Sequence, residues 1–337
     1  MSVQIENFGE VAGKKVDKIT IENDILKVCI LNYGALIQSL YFKEVDPGLD
    51  LILGYDDIEG YLGDPTYQGQ TIGRYSNRIG NAQITIDGTV YNLDNNDNGN
   101  CLHSGFSHLG NSFWNYEKVS DECVRFSCVS PDGQSGFPGN LDVKVEFSIN
   151  DNGDLSIEYF AETDKKTVVS LTNHSYFNVN GHDSGDILSN KVQINSDAYT
   201  EVNENLSATG KNLPVDEYCD FREFAACKER VKNGMNDFDQ NYVIKPDISK
   251  IAASIIGEKS GIRLNVFTDN PGVQFYNSVF VNIPNGKGGF HYKKYAAICF
   301  EPQEYPDSPN QPDFPSPLLA PGEKYNRKII YQFKDAR

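Results

Sequence analysis

The sequence of 337 residues is poor in the features that mark several special classes of protein. It contains one Trp and two Met, and its seven Cys are scattered without a CxxC pair. An odd number of dispersed cysteines does not suit a disulfide framework or a zinc site, and it is typical of proteins in reducing compartments. We therefore expect a cytoplasmic protein with no bound metal.

Long apolar runs are also missing. None approaches the roughly 18–20 residues of a membrane span, and the first residues show neither the basic nor the apolar part of a signal peptide. Basic residues are in the minority, with 30 Lys and Arg against 47 Asp and Glu, so the formal net charge is −17. An acidic chain without a basic patch is not expected to bind nucleic acid, an anionic membrane or a strongly anionic ligand.

The dominant pattern is alternation of apolar and polar residues with a period of two. Residues 141–149 (LDVKVEFSI) show it most clearly, and it indicates an antiparallel strand with one buried face. Helical periodicity is confined to Phe221–Lys232 and to a single turn at Ile58–Leu62. The pattern predicts an all-β fold, a large sandwich of stacked sheets in one domain spanning residues 1–337. The further strands predicted from the same pattern are 17–31, 35–43, 82–93, 122–130, 154–163, 191–195, 262–269, 272–281, 294–300 and 326–333.

Residues 171–178 (LTNHSYFN) place one imidazole, that of His174, among amides, a hydroxyl and a phenol. The apolar, β-branched residues 166–171 predict a strand before it, and the turn formers 179–185 predict a loop after it. A lone His at a strand end is more often structural than catalytic. Its unperturbed pKa of about 6.5 nevertheless suits proton transfer near neutral pH.

A carboxylate occupies a comparable position near the C-terminus. The apolar strand Tyr295–Phe300 leads directly into Glu301, and a proline-rich segment follows. A carboxylate at the exit of a buried strand is partly desolvated, which raises its pKa and makes it a better base. Glu304 and Asp307, farther along, are expected to be partly solvated loop residues.

Three further clusters would each be a surface turn or loop if taken alone. Asn77 and Arg78 lie in a glycine-punctuated segment, and their side chains could hold hydroxyl groups. His103 precedes small residues, and it lies five residues before His108 without the acidic partner of an HExxH-type metal motif. Asp239 lies in a segment that reads as a loop.

Seven segments in order carry a family resemblance. The sequence resembles the aldose 1-epimerase (galactose mutarotase) family from about residue 19 to the C-terminus. The two most specific of the matching segments are those that contain His174 and Glu301. The matching segments are Asn32-Tyr-Gly-Ala, Gly73-Arg-Tyr-Ser-Asn77-Arg78-Ile, Ile86-Asp-Gly with Leu102-His103, Gly136-Phe-Pro-Gly139, Asn173-His174-Ser-Tyr-Phe-Asn178, Pro271-Gly-Val-Gln274-Phe-Tyr, and Glu301-x-Gln-x-x-Pro-Asp-x-x-Asn310.

The resemblance implies a galactose mutarotase-like β-supersandwich with few short helices and no cofactor or metal. It implies that Glu301 is the general base, His174 the general acid and His103 a supporting active-site residue. The substrate-binding residues implied by it are Asn77, Arg78, Tyr176, Asp239 and Gln274. Nearby carboxylates and tyrosines would favour the charged form of His174.

Two departures from the family pattern leave the sugar preference open. The family usually has Gly where this chain has Ser104, and His where this chain has Gln240. No role is assigned to His108, His182 or His291.

The implied function is that of an isomerase of carbohydrate metabolism, which interconverts the α and β anomers of a free aldohexose, galactose or glucose. Its partner would be a small-molecule aldose, and the chain would be a monomer or a homodimer. A glucose-6-phosphate 1-epimerase-like enzyme would need more cationic residues at the site. A glycosidase would use two carboxylates about 5–10 Å apart. A non-catalytic sugar-binding module would have no need of both Glu301 and His174.

Overall fold

A computed structural model describes residues 2–337, whose regular secondary structure is mostly β-strand. The first half of the chain also contains the α-helix α1 (Ile58–Leu62), as expected from the sequence. Its strands are β1 (Ser2–Val11), β2 (Lys14–Glu22), β3 (Leu26–Leu31), β4 (Leu36–Phe42), β5 (Thr71–Ile72), β6 (Arg78–Ile79), β7 (Gln83–Ile86), β8 (Thr89–Asn92), β9 (Cys101–Leu102), β10 (Asn115–Ser120), β11 (Cys123–Ser130), β12 (Leu141–Ile149) and β13 (Asp154–Thr163).

The second half continues in the same way. Short 3₁₀ turns join several elements, at Gly80–Ala82, Leu109–Asn111, Gln134–Gly136, Cys227–Glu229, Lys287–Gly289 and Ser308–Asn310. The strands of this half are β14 (Thr167–Val168), β15 (Thr172–Asn173), β16 (Lys191–Ile194), β17 (Ala198–Val202), β18 (Ala208–Pro214), β19 (Ala225–Ala226), β20 (Asp239–Val243), β21 (Ile251–Ile256), β22 (Ile262–Thr268), β23 (Gly272–Tyr276), β24 (Cys299–Gln303), β25 (Leu318–Leu319) and β26 (Tyr325–Asp335).

Three large sheets organise these strands. Nine strands form one sheet in the order β10-β11-β12-β13-β26-β22-β21-β16-β19, five form a second in the order β18-β17-β20-β23-β24, and β1 to β4 form a third. Neighbouring strands in these sheets pair antiparallel, for example β12 with β13 and β23 with β24. The all-β class and the mainly antiparallel pairing expected from the sequence are therefore confirmed.

One continuous apolar core joins the three sheets. It includes Ile30 and Leu40 of the four-stranded sheet, Val145 and Leu264 of the nine-stranded sheet, and Phe275 of the five-stranded sheet, all buried. Each large apolar side chain buried in this way stabilises the fold by about 1.5–3 kcal/mol. The stacked sheets form the sandwich that the period-two pattern predicted, because such strands each offer one apolar face.

Several elements differ from the sequence-based prediction. The predicted strands 17–31 and 82–93 each form two strands. In the first, the side-chain oxygen of Asn23 accepts hydrogen bonds from the amides of Ile25 and Leu26 and closes a turn. The predicted helix Phe221–Lys232 is absent from the described structure, and that prediction was wrong. Ala225 and Ala226 pair instead with β16 at the edge of the nine-stranded sheet, and this pairing outweighs the local helical pattern.

The strand that carries Glu301 is also displaced from its predicted position. The sequence predicted a strand over 294–300 that ends before Glu301, whereas β24 contains Glu301 at its centre, directly opposite Gln274 of β23. Pro302 does not interrupt this strand because β24 is an edge strand, where a missing amide hydrogen is tolerated. Across residues 2–337, no helix has the length and apolar character needed to cross a membrane.

Candidate active site

The floor of the candidate site is one face of the five-stranded sheet. In β23, Phe275 points into the core, so its neighbour Gln274 points to the opposite face. In β24 the same alternation buries Phe300 in the core and turns Glu301 towards Gln274. Asp239, expected to be in a loop, instead begins β20, the other neighbour of β23. The sheet therefore assembles three polar side chains from separate parts of the sequence.

His174 reaches this face from the loop that follows β15. Its amide donates to the carbonyl of Gln70, and its own carbonyl accepts from Gly69, each at 2.9 Å. The side-chain amide of Asn173 also donates to the Gly69 carbonyl at 2.9 Å. The backbone on both sides of the imidazole is thus held, and His174 Nε2 lies 3.5 Å from Glu301 Oε2.

Burial controls the charge of this pair. The His174 residue is 5% exposed and Glu301 is 2% exposed. Burial raises the pKa of Glu301 well above its usual 4.5, and the neighbouring Asp239 raises it further while Arg78 opposes the rise. Burial lowers the pKa of His174 to about 4. This shift is opposite to the expectation that the surroundings would favour the charged form of His174, because desolvation outweighs the nearby acidic groups.

His103 is held in one protonation state by the backbone. Strands β6 and β9 pair, which brings Asn77 and His103 together, and both residues have positive φ angles, 63° and 50°. The amide of Asn77 donates to His103 Nδ1 at 3.1 Å. The hydrogen of the neutral ring therefore lies on Nε2. Burial, followed by His174, Arg78 and His108, lowers the pKa of His103 well below 6.5, so His103 offers a hydrogen-bond donor.

A hydrogen-bonded chain connects the remaining polar residues. Asn77 Nδ2 donates to Gln274 Oε1 at 3.1 Å, and Gln274 Nε2 donates to Asp239 Oδ1 at 2.6 Å. Arg78 Nε donates to Asp97 Oδ2 at 2.6 Å, while its Nη1 lies 3.9 Å from Asp239 Oδ2. Each group is fixed by another before any ligand arrives, which preorganises the site for hydroxyl groups.

These residues line a cavity of about 130 Å³. All eight site residues singled out from the sequence contribute to it, namely Asn77, Arg78, His103, His174, Tyr176, Asp239, Gln274 and Glu301. Larger depressions lie elsewhere on the surface, of about 990 and 650 Å³, but this cavity is where a buried carboxylate and two buried imidazoles converge. Such convergence of perturbed groups marks a candidate active site.

Aromatic rings form the walls, and the sequence did not reveal two of them. The Tyr176 ring stacks on His174 at 5.1 Å. Tyr67 has its ring centre 4.8 Å from that of His103 and 6.1 Å from that of His174. Phe280 borders the cavity and is 72% exposed. No motif surrounds Tyr67 or Phe280, and the only sequence feature near Tyr67 that could have indicated an unusual backbone is Gly69.

His103, His174 and Glu301 could be considered as ligands of a metal ion. The ligand atoms of His103, His174 and Glu301 lie within 4.8 Å of one another. A metal ligand must offer a lone pair, but Nε2 of His103 carries the hydrogen because Nδ1 accepts from the Asn77 amide. Two free ligands remain, fewer than a closed or catalytic protein site normally supplies.

Two acidic residues expected to be partly solvated are buried instead. Glu304 is 2% exposed and pairs with Arg327, whose Nη2 lies 2.8 Å from Glu304 Oε1. Asp307 Oδ1 accepts from the amide of Gly80 at 2.8 Å, and the Asp307 amide donates to the carbonyl of Arg78 at 2.8 Å. The segment after Glu301 therefore anchors the segment that carries Arg78, and this tertiary role explains the burial.

Arg74 also proves to be structural. Its guanidinium is buried and donates to the carbonyls of Pro138 and Gly139 at 2.7 and 2.9 Å and to Ser130 Oγ at 2.8 Å. This contact explains the Gly136-Phe-Pro-Gly139 motif, which supplies carbonyl acceptors. Arg74 thus holds the start of the segment that ends in Asn77 and Arg78.

Comparison with known proteins identifies the family. The sequence profile of the family described as aldose 1-epimerase matches residues 17–332. The chain belongs to the aldose 1-epimerase family. It is 38% identical to the galactose mutarotase of Homo sapiens over 336 residues, which is 98% of each chain. It is 32% identical to the aldose 1-epimerase of Escherichia coli K12, with 95% of this chain and 96% of that one covered.

Solved structures give the same assignment. A crystal structure of an aldose epimerase homologue from C. elegans superposes with a TM-score of 0.90, at 32% identity, over 95% of this chain and 99% of that one. A galactose 1-epimerase from Lactobacillus acidophilus shares the fold with a TM-score of 0.87 at 23% identity over both whole chains. The supersandwich expected from the aldose 1-epimerase resemblance is confirmed, and the chain is an isomerase.

The two departures from the family pattern lie outside the cavity lining. Ser104 has a φ of 71°, and its Oγ accepts from the amide of Tyr75 at 2.7 Å and donates to the Tyr75 carbonyl at 3.1 Å. Gln240 lies opposite Phe275, on the other face of the sheet from Asp239 and Gln274. Ser104 thus supports the turn next to His103.

The histidines without an assigned role have structural partners. His108 Nδ1 accepts from the amide of Gly110 at 3.2 Å and closes a 3₁₀ turn. His182 Nδ1 lies 2.8 Å from the hydroxyl of Tyr292, and the exposed His291 contacts Asn282.

Proposed function

We propose that this protein interconverts the α and β anomers of a free aldohexose, galactose or glucose, by opening and closing the sugar ring. The observation that carries the proposal is the buried pair of His174 and Glu301, whose facing atoms are 3.5 Å apart. Glu301 Oε2 is buried and has no hydrogen-bond partner among the described residues. A buried polar atom without a partner costs free energy, and a bound ligand would remove that cost.

The reaction requires a base and an acid that act together. Opening the ring removes a proton from the C1 hydroxyl and adds one to the ring oxygen. Both oxygens are bonded to C1, so a carboxylate and an imidazole that face the same space can reach them simultaneously. We assign Glu301 as the base at the C1 hydroxyl and His174 as the acid at the ring oxygen, and each such group contributes about 10²–10⁴-fold.

The pair needs only one proton for a complete turnover. Ring opening converts an ionised pair, Glu301 carboxylate with His174 imidazolium, into a neutral pair with the proton on Glu301. These two states contain the same number of protons, so no exchange with water is required. Burial, which raises the pKa of Glu301 and lowers that of His174, favours the neutral pair that accompanies the open aldehyde. Rotation about C1–C2 followed by the reverse transfers closes the other anomer.

The surrounding residues would orient the sugar. The donors of Arg78, Gln274 and His103 and the carboxylate of Asp239 can bind several hydroxyl groups at fixed positions. His103, neutral with its hydrogen on Nε2, would donate to a substrate oxygen without competing for the proton. Preorganised contacts of this kind align the reacting atoms, which lowers the barrier.

The alternatives receive less support from the same residues. Arg78 is the one cation among the described residues that line the cavity, and it is already paired with Asp97. A phosphorylated sugar would face that paired cation and the carboxylates of Asp239 and Glu301. For a sugar-binding module, a buried acid–base pair would be an unexplained cost in stability.

Polarimetry tests the proposal directly. Freshly dissolved α-D-galactose and α-D-glucose should lose their initial rotation faster with the wild type than without protein. Glu301→Gln and His174→Gln should each lower turnover by roughly 10²-fold or more, because each removes one proton-transfer group. Glu217→Gln, an exposed carboxylate outside the cavity, and His291→Gln are matched controls that should retain activity.

No acceleration by the wild type on any aldose would refute the enzyme assignment. Near-normal turnover of Glu301→Gln would refute its role as base, while the assignment of the fold and family would stand. Circular dichroism of each variant shows whether the fold is retained.

A further inference from the structure

We propose that Asp97 is a positioning residue for the reaction, although its side chain does not line the catalytic cavity. Through its ion pair with Arg78, Asp97 aims the guanidinium group at the sugar and offsets the positive charge of that group at the proton-transfer pair. This inference rests on the proposed function, because it assigns Asp97 an effect on ring opening and closing. Asp97 belongs to residues 94–100 (DNNDNGN), which none of the segments that carry the family resemblance includes.

The ion pair uses only one of the N–H groups of Arg78. Nε donates to Asp97 Oδ2 at 2.6 Å, while Nη1 is 3.9 Å from Asp239 Oδ2, which is longer than a hydrogen bond. A guanidinium is planar and its donors have fixed directions, so the bond at Nε also fixes the directions of both Nη groups. Because Arg78 lines the cavity, the Nη groups remain available for sugar hydroxyls.

Asp97 is held by its own turn, independently of Arg78. The Asp97 amide donates to the carbonyl of Asn100 at 3.2 Å, and the Asn100 amide donates to the carbonyl of Asp97 at 2.8 Å. The side chain of Asn96 accepts from the amide of Leu102 at 2.7 Å and donates to its carbonyl at 3.0 Å. Leu102 of β9 pairs with Arg78 of β6, so the turn and the arginine belong to one small sheet. The backbone therefore holds the carboxylate beside Arg78 before a sugar binds.

The pair is largely shielded from water, so its charges act on their neighbours with little screening. The side chains of Arg78 and Asp97 are 12% and 20% exposed. Burial raises the pKa of Asp239, Arg78 and Gln274 oppose the rise, and Asp97 adds to it. Burial, followed by the charge of Asp97, raises the pKa of Tyr67 to about 12. The charge of Asp97 therefore acts on residues that line the cavity.

The proton-transfer pair responds to the balance of these charges. Burial and then Asp239 raise the pKa of Glu301, and Arg78 lowers it. Without the negative charge of Asp97, more of the positive charge of Arg78 is unopposed, and a nearby positive charge favours the loss of protons from both Glu301 and His174. The pH range in which the pair holds one proton should therefore move to lower pH.

The other titratable groups around the pair do not compensate for this change, because burial keeps them neutral near pH 7. Burial lowers the pKa of the imidazole among them and raises the pKa values of the phenols and the thiol. These groups are His103, Tyr67, Tyr176, Tyr276, Tyr331 and Cys299. Among the described residues, Asp239 and Arg78 are the charged groups that act directly on Glu301.

Two substitutions of Asp97 separate its effects on position and on charge. Asp97→Asn removes the charge and keeps an oxygen that can accept from Arg78 Nε, whereas Asp97→Ala removes both. Asp121→Asn is the matched control, because Asp121 is an exposed carboxylate that pairs with Lys118 beside the turn between β10 and β11. Arg78→Met provides a background in which Asp97 has no guanidinium to hold.

Polarimetry with α-D-galactose and α-D-glucose between pH 5 and pH 9 measures kcat and KM for each protein. At the pH optimum, Asp97→Ala should raise KM about five- to tenfold and change kcat by less than about twofold, because it weakens contacts made equally in the ground state and the transition state. Asp97→Asn should keep KM within about twofold of the wild type, and it should move both limbs of the pH profile of kcat/KM to lower pH by about half a unit. Asp121→Asn should change neither KM nor the profile.

The Arg78→Met background shows whether Asp97 acts through Arg78. In that background, Asp97→Ala should change kcat/KM at the pH optimum by less than about twofold. An effect as large as in the wild type would refute the positioning role. Wild-type KM and an unchanged pH profile in both Asp97 variants would also overturn it, even if urea denaturation showed a loss of stability.

Circular dichroism establishes that each variant is folded. If Asp97→Ala does not fold, Asp97→Asn, whose side chain has the same shape as Asp97, decides the inference through its pH profile. No acceleration by the wild type would refute the proposed function and this inference with it. A failure confined to the Asp97 variants would leave the proposed function intact, so the two failures are distinguishable.

Discussion

His108 provides the clearest test of the statement that burial keeps the imidazoles around the site neutral. It is 5% exposed, and its pKa is lowered from 6.5 to about 4 by burial alone. His174, by contrast, is coupled to Glu301. The informative substitution is His108→Asn, because Oδ1 of Asn can accept the hydrogen bond that Nδ1 of His108 accepts from the amide of Gly110 at 3.2 Å.

The size of the effect follows from the change in pKa. A histidine whose pKa is lower in the folded state takes up a proton first in the unfolded state, so stability falls as the pH decreases. For His108 the loss begins as the pH drops through 6.5, and it is complete below about 4. One pKa unit corresponds to about 1.4 kcal/mol, so the full loss is about 3 kcal/mol, and about 2 kcal/mol of it should be present at pH 5.

Urea denaturation at pH 7 and pH 5 measures this contribution. The free energy of unfolding of the wild type should fall between pH 7 and pH 5, and part of that fall is due to His108. In His108→Asn the fall should be smaller by about 2 kcal/mol. Loss of the ring lowers stability at both pH values and cancels in the difference. An unchanged difference would refute the assignment of a low pKa to His108, and an NMR titration that placed its pKa near 6.5 would do the same.

Two further substitutions test residues that only the structure identified. Tyr67→Ala should lower kcat by about tenfold or more in the same polarimetric assay. The Tyr67 ring packs against His103 and His174, and small displacements of reacting groups slow the reaction strongly. Tyr67→Phe keeps the ring and should retain most of the activity. A rate for Tyr67→Ala equal to that of the wild type would contradict this role. Arg74→Met should lower the free energy of unfolding by about 3–5 kcal/mol, because it leaves buried carbonyl acceptors without their donor. A midpoint of urea denaturation within error of that of the wild type would disprove this structural role.

Local patterns predicted the strands whose burial alternates regularly. The strand over 141–149 was predicted with the bounds that β12 has, and 154–163 with those of β13, because each has one apolar face against the core. The helix predicted over Phe221–Lys232 failed because Ala225 and Ala226 complete the edge of a sheet. Strand β20, which carries Asp239, was missed because its short sequence has no clear alternation.

The same contrast holds for the candidate site. Motif resemblance singled out eight residues, and all eight line one cavity, but the patterns around Tyr67 and Phe280 predicted nothing. Those two side chains become neighbours of the site through a turn with positive φ at Tyr67 and through the segment after β23. Contacts of this kind depend on distant parts of the chain, so no local pattern records them.

The amino-acid sequence by itself determined the all-β class, the family and the identity of the proton-transfer candidates. These properties follow from the order and type of residues, which alternation and motifs record directly. Only the tertiary structure decided that Glu301 lies at the centre of a strand, that burial lowers the pKa of His174, and that Glu304 and Asp307 are buried. Charge state and burial depend on which surfaces the folded chain removes from water, and that is a property of the assembled sheets.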